Sequence, residues 1–163
     1  MKPLQEWICD TCGELIKRPE EGWVEWLEGI DDRVGDFRIC HAVPFCPLAQ
    51  DEITGPFCQQ HVGRLGMHEM PLEDFADQGG LLEMLSFVDV DVGLDKEYQG
   101  YRARDLHEWA ETCRRLLLPY YEEARIYWDD ARNDGFFSGL TEISMYTPET
   151  LARLIGKYEP GGC

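Results

Sequence analysis

Apolar positions change their period once along this chain. Up to about residue 63 they fall in short runs suited to strands, and beyond about residue 70 they return every three or four residues, the helical spacing. Gly22-Trp23-Val24-Glu25-Trp26-Leu27 is rich in strand-favouring residues. After a turn drawn from Asp31, Asp32 and Gly35, the run Asp36 to His41 alternates, so that Phe37, Ile39 and His41 share one face and Arg38 and Cys40 the other. These two runs predict an antiparallel hairpin. Residues 43–66 carry Pro44, Pro47, Gly55, Pro56, Gly63 and Gly66 and predict a loop rather than a regular element.

Helices follow. Leu81, Leu82, Met84, Leu85 and Val88 form one short amphipathic set, and Ala103, Leu106, Trp109, Ala110, Cys113, Leu116 and Leu117 a longer one that stops at Pro119. Tyr120, Tyr121, Ala124, Tyr127, Trp128 and Ala131 continue the period up to Gly135, whose type suits a left-handed cap. Thr147-Pro148-Glu149 combines a capping hydroxyl, a proline at the first helical position and an early acid, ahead of Leu151, Leu154, Ile155 and Tyr158. The expected architecture is α+β, with a small zinc-ribbon-like β-hairpin region over residues 1–66 and a helical, bundle-like region over 67–163.

Charge narrows the choice of partners. Of the 163 residues, 15 are Lys or Arg and 32 Asp or Glu, a net charge of −17. Residues 1–63 hold 5 basic and 12 acidic side chains, so the acidity is not confined to a tail. Such a surface repels phosphates and anionic membranes, so neither direct nucleic-acid binding nor membrane association is expected. No apolar run approaches the roughly 18 residues of a spanning helix, and Met1 to Trp7 has no hydrophobic signal core, which points to a cytoplasmic protein.

The seven cysteines supply the chemistry. Cys9-Asp10-Thr11-Cys12-Gly13 sets two thiols on a tight turn, from which both can reach one metal ion at about 2.3 Å. A tetrahedral site needs two more ligands from Cys40, His41, Cys46, Cys58 and His61. Cys40 and His41 point to opposite faces of their strand, and His41 is the better candidate, because that strand can lie beside the thiol turn. Spacing does not rank Cys46, Cys58 and His61.

The segments Trp7 to Gly13, Gly22 to Trp26 and Phe37 to His41, with Pro71 to Phe75 and Arg115 to Arg125 further on, resemble a group of small uncharacterised bacterial proteins with an N-terminal zinc-binding hairpin. The resemblance implies a ligand set of Cys9, Cys12, His41 and Cys58 around a structural Zn2+, and carries no known activity. Four protein ligands leave no open position for water, so such a site would fasten a region too small for a large core.

Catalytic patterns fail at identifiable positions. Val43 stands where a zinc deaminase needs glutamate, and Leu72 where the metalloprotease helix begun by His68-Glu69 needs histidine. Asp89 to Glu97 resembles a calcium loop only until Gly93 and Leu94, and reads better as a solvated acidic linker. Cys113 sits in an apolar stripe, away from His107, and reads as core. The rings of Tyr120, Tyr121, Tyr127, Trp128, Phe136, Phe137, Tyr146 and Tyr158 make either a packed aromatic core or a partner surface, while Arg114, Arg115, Arg125 and Arg132 interleave with acids as helix-surface ion pairs.

The expected function is therefore a zinc-stabilised, acidic protein-interaction module without enzymatic activity, an inhibitor or accessory subunit whose partner is another protein, such as a basic or nucleic-acid-binding one. The alternative is a small zinc-dependent hydrolase acting on a nucleotide or amide, with Glu69, Glu73 or an acid of the 89–97 stretch as base.

Overall fold

The computed structural model describes residues 1–29, 33–47, 66–76, 79–88 and 102–159. Two short strands, β1 (Trp7–Ile8) and β2 (Leu15–Ile16), pair antiparallel around the Cys9-to-Cys12 turn. A larger sheet holds β3 (Gly22–Glu28), β4 (Arg33–His41), β5 (Met67–Pro71) and, after helices α1 (Leu72–Phe75) and α2 (Gly79–Ser86), β6 (Arg102–Ala103). Its order is β5-β3-β4-β6, with β6 alone parallel to its neighbour. The chain continues through α3 (Leu106–Leu117), α4 (Tyr121–Ala124), a 3-10 turn (Arg125–Tyr127), α5 (Trp128–Asn133) and α6 (Pro148–Tyr158). The fold is mixed α+β, as the change of period implies.

The expected antiparallel β3–β4 hairpin forms, with Gly22 opposite His41 and Val24 opposite Ile39. Gly35 does not belong to the turn. It lies inside β4, where a Cβ would stand 2.8 Å from the Arg104 guanidinium, so the strand begins earlier than its alternation showed.

Two helices also differ from expectation. Ala103 is drawn into β6 beside Val34, and α3 begins only at Leu106, where the Asp105 carboxylate accepts from the amides of His107 and Glu108. In α2 only Met84 of the expected apolar set is fully buried, while Leu81, Leu82 and Leu85 are exposed. Gly80 is required there by space, because a Cβ would fall 2.1 Å from the Phe75 carbonyl oxygen.

The run from Tyr120 to Ala131 is not one helix. Tyr120 takes a left-handed φ of +70° and the following turns alternate between α and 3-10 geometry. Gly135, also left-handed, ends α5: its amide donates to Arg132 O at 3.1 Å and that of Phe136 to Ala131 O at 2.9 Å, the paired bonds of a Schellman cap. At α6, Thr147 Oγ1 accepts from Thr150 N and Pro148 opens the helix, as read from the sequence.

Two apolar clusters result. The first runs from Trp7 to Leu116 and takes in the sheet, Leu72, Phe75, Met84 and Phe87, so it crosses the division expected at residues 66 and 67. The second gathers Tyr121, Ala124, Ala131, Leu151 and Leu154 under a shell of rings. Trp128 lies 4.5 Å from Phe137 and 5.5 Å from Tyr146 between centroids, which puts most of the late aromatics into packing.

Candidate metal centre

The site begins with a local turn. Cys9 N donates to Glu14 O at 3.0 Å and Gly13 N to Cys9 O at 2.9 Å, and Gly13 adopts φ +75°, a conformation glycine takes without penalty. This loop brings Cys9 and Cys12 to one side. A second pair of bonds clips it to the sheet: Asp10 N donates to Ile39 O at 2.8 Å, and Ile39 N donates to Asp10 Oδ2 at 2.7 Å. His41, two residues along the same face of β4, is thereby carried to the thiols.

Cys9, Cys12 and His41 form a cluster whose ligand atoms all lie within 4.8 Å of one another, an arrangement that could hold a metal ion. Cys12 Sγ is 3.4 Å from His41 Nδ1. Zinc bonds of about 2.3 Å to sulfur and 2.0 Å to nitrogen at a tetrahedral angle would set those atoms about 3.5 Å apart. The other ring nitrogen, Nε2, lies 3.3 Å from the Leu15 carbonyl oxygen, which can only accept. Nε2 therefore carries the proton and Nδ1 turns its lone pair to the thiols, the outer-shell arrangement usual for a ligating histidine.

The electrostatics agree. Burial lowers the His41 pKa, partly offset by the Leu15 bond and by Glu21 and Glu14, and so favours the neutral ring a metal requires. Burial is also the main reason the Cys12 thiol is raised, a direction that a bound cation would reverse. Cys40 is fully buried with its thiol pushed up by burial and then by Glu25, and its Sγ lies 3.8 Å from Trp23 O, away from the cluster. Strand alternation thus separates Cys40 from His41 as expected.

Of the remaining candidates, Cys46 is buried and disulfide-bonded, so its sulfur is not a free thiolate. Cys58 and His61 lie outside the described residues, as does the 89–97 stretch. Cys113 is half-buried with its thiol pushed up to about 11 by burial, and it packs against the first core. His68 belongs to β5, stacks on Trp26 and bonds Glu28 Oε2 at 3.1 Å, a strand position unlike the metalloprotease helix its sequence resembles.

Two features escaped the sequence. A cavity of about 290 Å³ opens beside His41 and is lined by Glu14, Glu21, Lys17 and Phe45, whereas Glu69 and Glu73 are not part of it. The flanks of the Cys9 turn were where those acids could have been sought. The second feature corrects the reading of Arg115 as a helix-surface ion pair, whereas Arg114 and Arg132 do pair with Glu111 and Asp129 three residues before them. Arg115 is buried; its Nη1 donates to Asp10 Oδ2 at 2.7 Å, its Nε and Nη2 to Glu122 at 2.8 and 3.0 Å, and its Nη2 also to Ile8 O at 3.1 Å. Arg125 adds two bonds to Glu122, and Ile8 N donates to Glu122 Oε1 at 3.0 Å. The thiol turn is therefore tied through one guanidinium to the helical half.

None of the described helices is long and apolar enough to cross a membrane. Compared with protein-family models, with curated proteins and with solved structures, the chain matches none.

Proposed function

We propose that the chain is a zinc-stabilised acidic module that binds another protein and does no chemistry of its own. The observation that carries this reading is the three-ligand cluster of Cys9, Cys12 and His41, with the imidazole already oriented by Leu15. Zinc fits the donors, because two thiolates and an imidazole are soft to borderline ligands that favour it over magnesium or calcium. Cys58 would complete a closed Cys3His sphere. The net charge of −17 would then favour a partner with a basic surface, including a nucleic-acid-binding protein in place of its nucleic acid.

A second reading draws on the cavity beside His41. If water rather than a fourth side chain completes the sphere, Glu14 or Glu21 is placed on the wall of a chamber large enough for a small substrate, and a hydrolase acting on a nucleotide or amide follows.

Elemental analysis and cobalt substitution test both. One equivalent of zinc, together with a tetrahedral cobalt spectrum unmoved by added azide, supports the closed, non-catalytic centre. A spectrum that shifts with azide replaces it with the hydrolase. Protein purified under native conditions with no bound transition metal overturns both.

A further inference from the structure

A separate cavity of about 170 Å³ lies against the second core. Its floor carries Glu123, which is 6% exposed and whose Oε1 has no hydrogen-bond partner among the described residues. Tyr120, Tyr127, Ile126 and Ile155 supply its walls, and Glu159 a second carboxylate. The neighbouring acid shows what is unusual here: Glu122 accepts from two arginines and a backbone amide, while Glu123, one residue on, is buried with an oxygen unspent.

A buried carboxylate with an oxygen unpartnered costs free energy, and where its side chain lines an open cavity a cation settling beside it offsets that cost. The lining selects the charge of that ligand. Two carboxylates against one amino-terminal ammonium leave the lining net negative, which disfavours an anion, and aromatic faces attract an organic cation. A hard metal ion would want several oxygen donors, but most of this lining is carbon. The aliphatic side chains of Ile126 and Ile155 suit an alkyl stem behind a charged head.

The rim is exposed. Met1, Tyr120 and Ile126, which all line the cavity, are respectively 39%, 37% and 53% accessible although each is large and apolar. Tyr120 is also held at φ +70°, which is uncommon for a bulky side chain and places this ring at the mouth at a conformational cost. Burial raises the Glu123 carboxyl, and Glu122 and Glu6 add to this against its own backbone amide and the amino-terminal ammonium; a bound cation would relieve it.

We propose that this cavity binds an aliphatic ammonium group, with Glu123 as its counter-ion, Tyr120 and Tyr127 as its aromatic walls and the isoleucines against its alkyl stem. A cavity of about 170 Å³ has room for a short chain such as a lysine side chain or a small alkylamine. The ligand is the ammonium head on its stem, whether a partner protein or a free amine provides it.

The test is an NMR titration of the full chain with n-butylammonium in about 0.15 M salt, which screens diffuse attraction to the acidic surface. Saturable shifts confined to Tyr120, Ile126, Tyr127 and Ile155 are expected, with Glu123→Gln weakening binding at least tenfold. Tyr120→Gly, which suits the positive φ and so keeps the fold, should weaken it several-fold. Neutral n-butanol should bind far more weakly. Binding that does not saturate, that ignores Glu123→Gln, or that n-butanol reproduces overturns the proposal. Tighter binding of N-acetyl-lysine amide than of butylammonium assigns the ligand to a protein lysine, and equal binding to free amines. None of these outcomes depends on the metal content of the protein.

Discussion

The core between Trp7 and Leu116 and the core between Tyr121 and Leu154 are joined through Arg115, which bonds Asp10 and Glu122, but they are held by different means. In the first, strands of two residues such as β1 and β2 could not persist alone; they are cross-linked by the Cys9 turn, its bonds to Ile39 and the candidate metal cluster. In the second, the rings of Tyr121, Trp128, Phe137 and Tyr146 pack on one another over Leu151 and Leu154 with no such cross-link among the described residues. Where a segment is too short to bury much apolar area, bonds of fixed geometry replace the hydrophobic effect; the short turns of α4 and α5 are instead held by rings packed against α6.

If that contrast is right, removing metal is the largest perturbation. Structural zinc contributes an apparent binding energy of about 10–16 kcal/mol, so Cys9→Ser or a strong chelator should melt the first core while the second holds its ring packing. Near-ultraviolet circular dichroism followed against temperature should separate into two transitions; a single unchanged melt would contradict the contrast. Arg115→Met comes next. It leaves Asp10 and the buried Glu122 with Arg125 as their remaining guanidinium, and urea unfolding should show a loss of about 3 kcal/mol, with Arg115→Lys recovering little because an ammonium cannot reproduce the forked bonds. Leu154→Ala, fully buried in the second core, should cost about 2–5 kcal/mol while leaving the metal stoichiometry unchanged by elemental analysis.

The smallest effect is one of pH. Burial alone would raise the Glu122 carboxyl, but bonds from Arg115 and Arg125 hold it below the ordinary carboxylate value. Its contribution is thus present above the unfolded-state pKa of about 4.3 and is lost as pH falls through the lower folded value. Glu123 is raised, and the sign reverses: the fold gains when it is protonated, and that gain disappears as pH rises through the folded value. Urea midpoints measured from pH 3 to pH 7 should fall on the acid side, and Glu123→Gln should raise the midpoint near neutrality while changing little at pH 3.

The parts that could be read in advance are local. Cys9, Cys12 and Gly13 specify a turn within five residues, strand alternation separates His41 from Cys40, and Thr147 with Pro148 starts α6, because each signal needs only its near neighbours along the chain. Ala103 and Gly35 were misplaced for the opposite reason: sheet pairing with β4, and contact with Arg104, outweighed their local preference. The cavity beside His41 likewise gathers Glu14, Glu21 and Phe45 from segments whose meeting depends on the fold.

Glu122 and Glu123 show the limit most directly. They are identical in type, adjacent, and set in one predicted helix, so chain chemistry offers nothing to tell them apart. Arg115 reaches Asp10 from 105 positions away and takes Glu122 with it, while the next carboxylate turns to a cavity. Short-range sterics and periodicity are written into neighbouring residues, but which buried charge finds a counter-ion depends on distant segments arriving together, and that was settled only once the chain had folded.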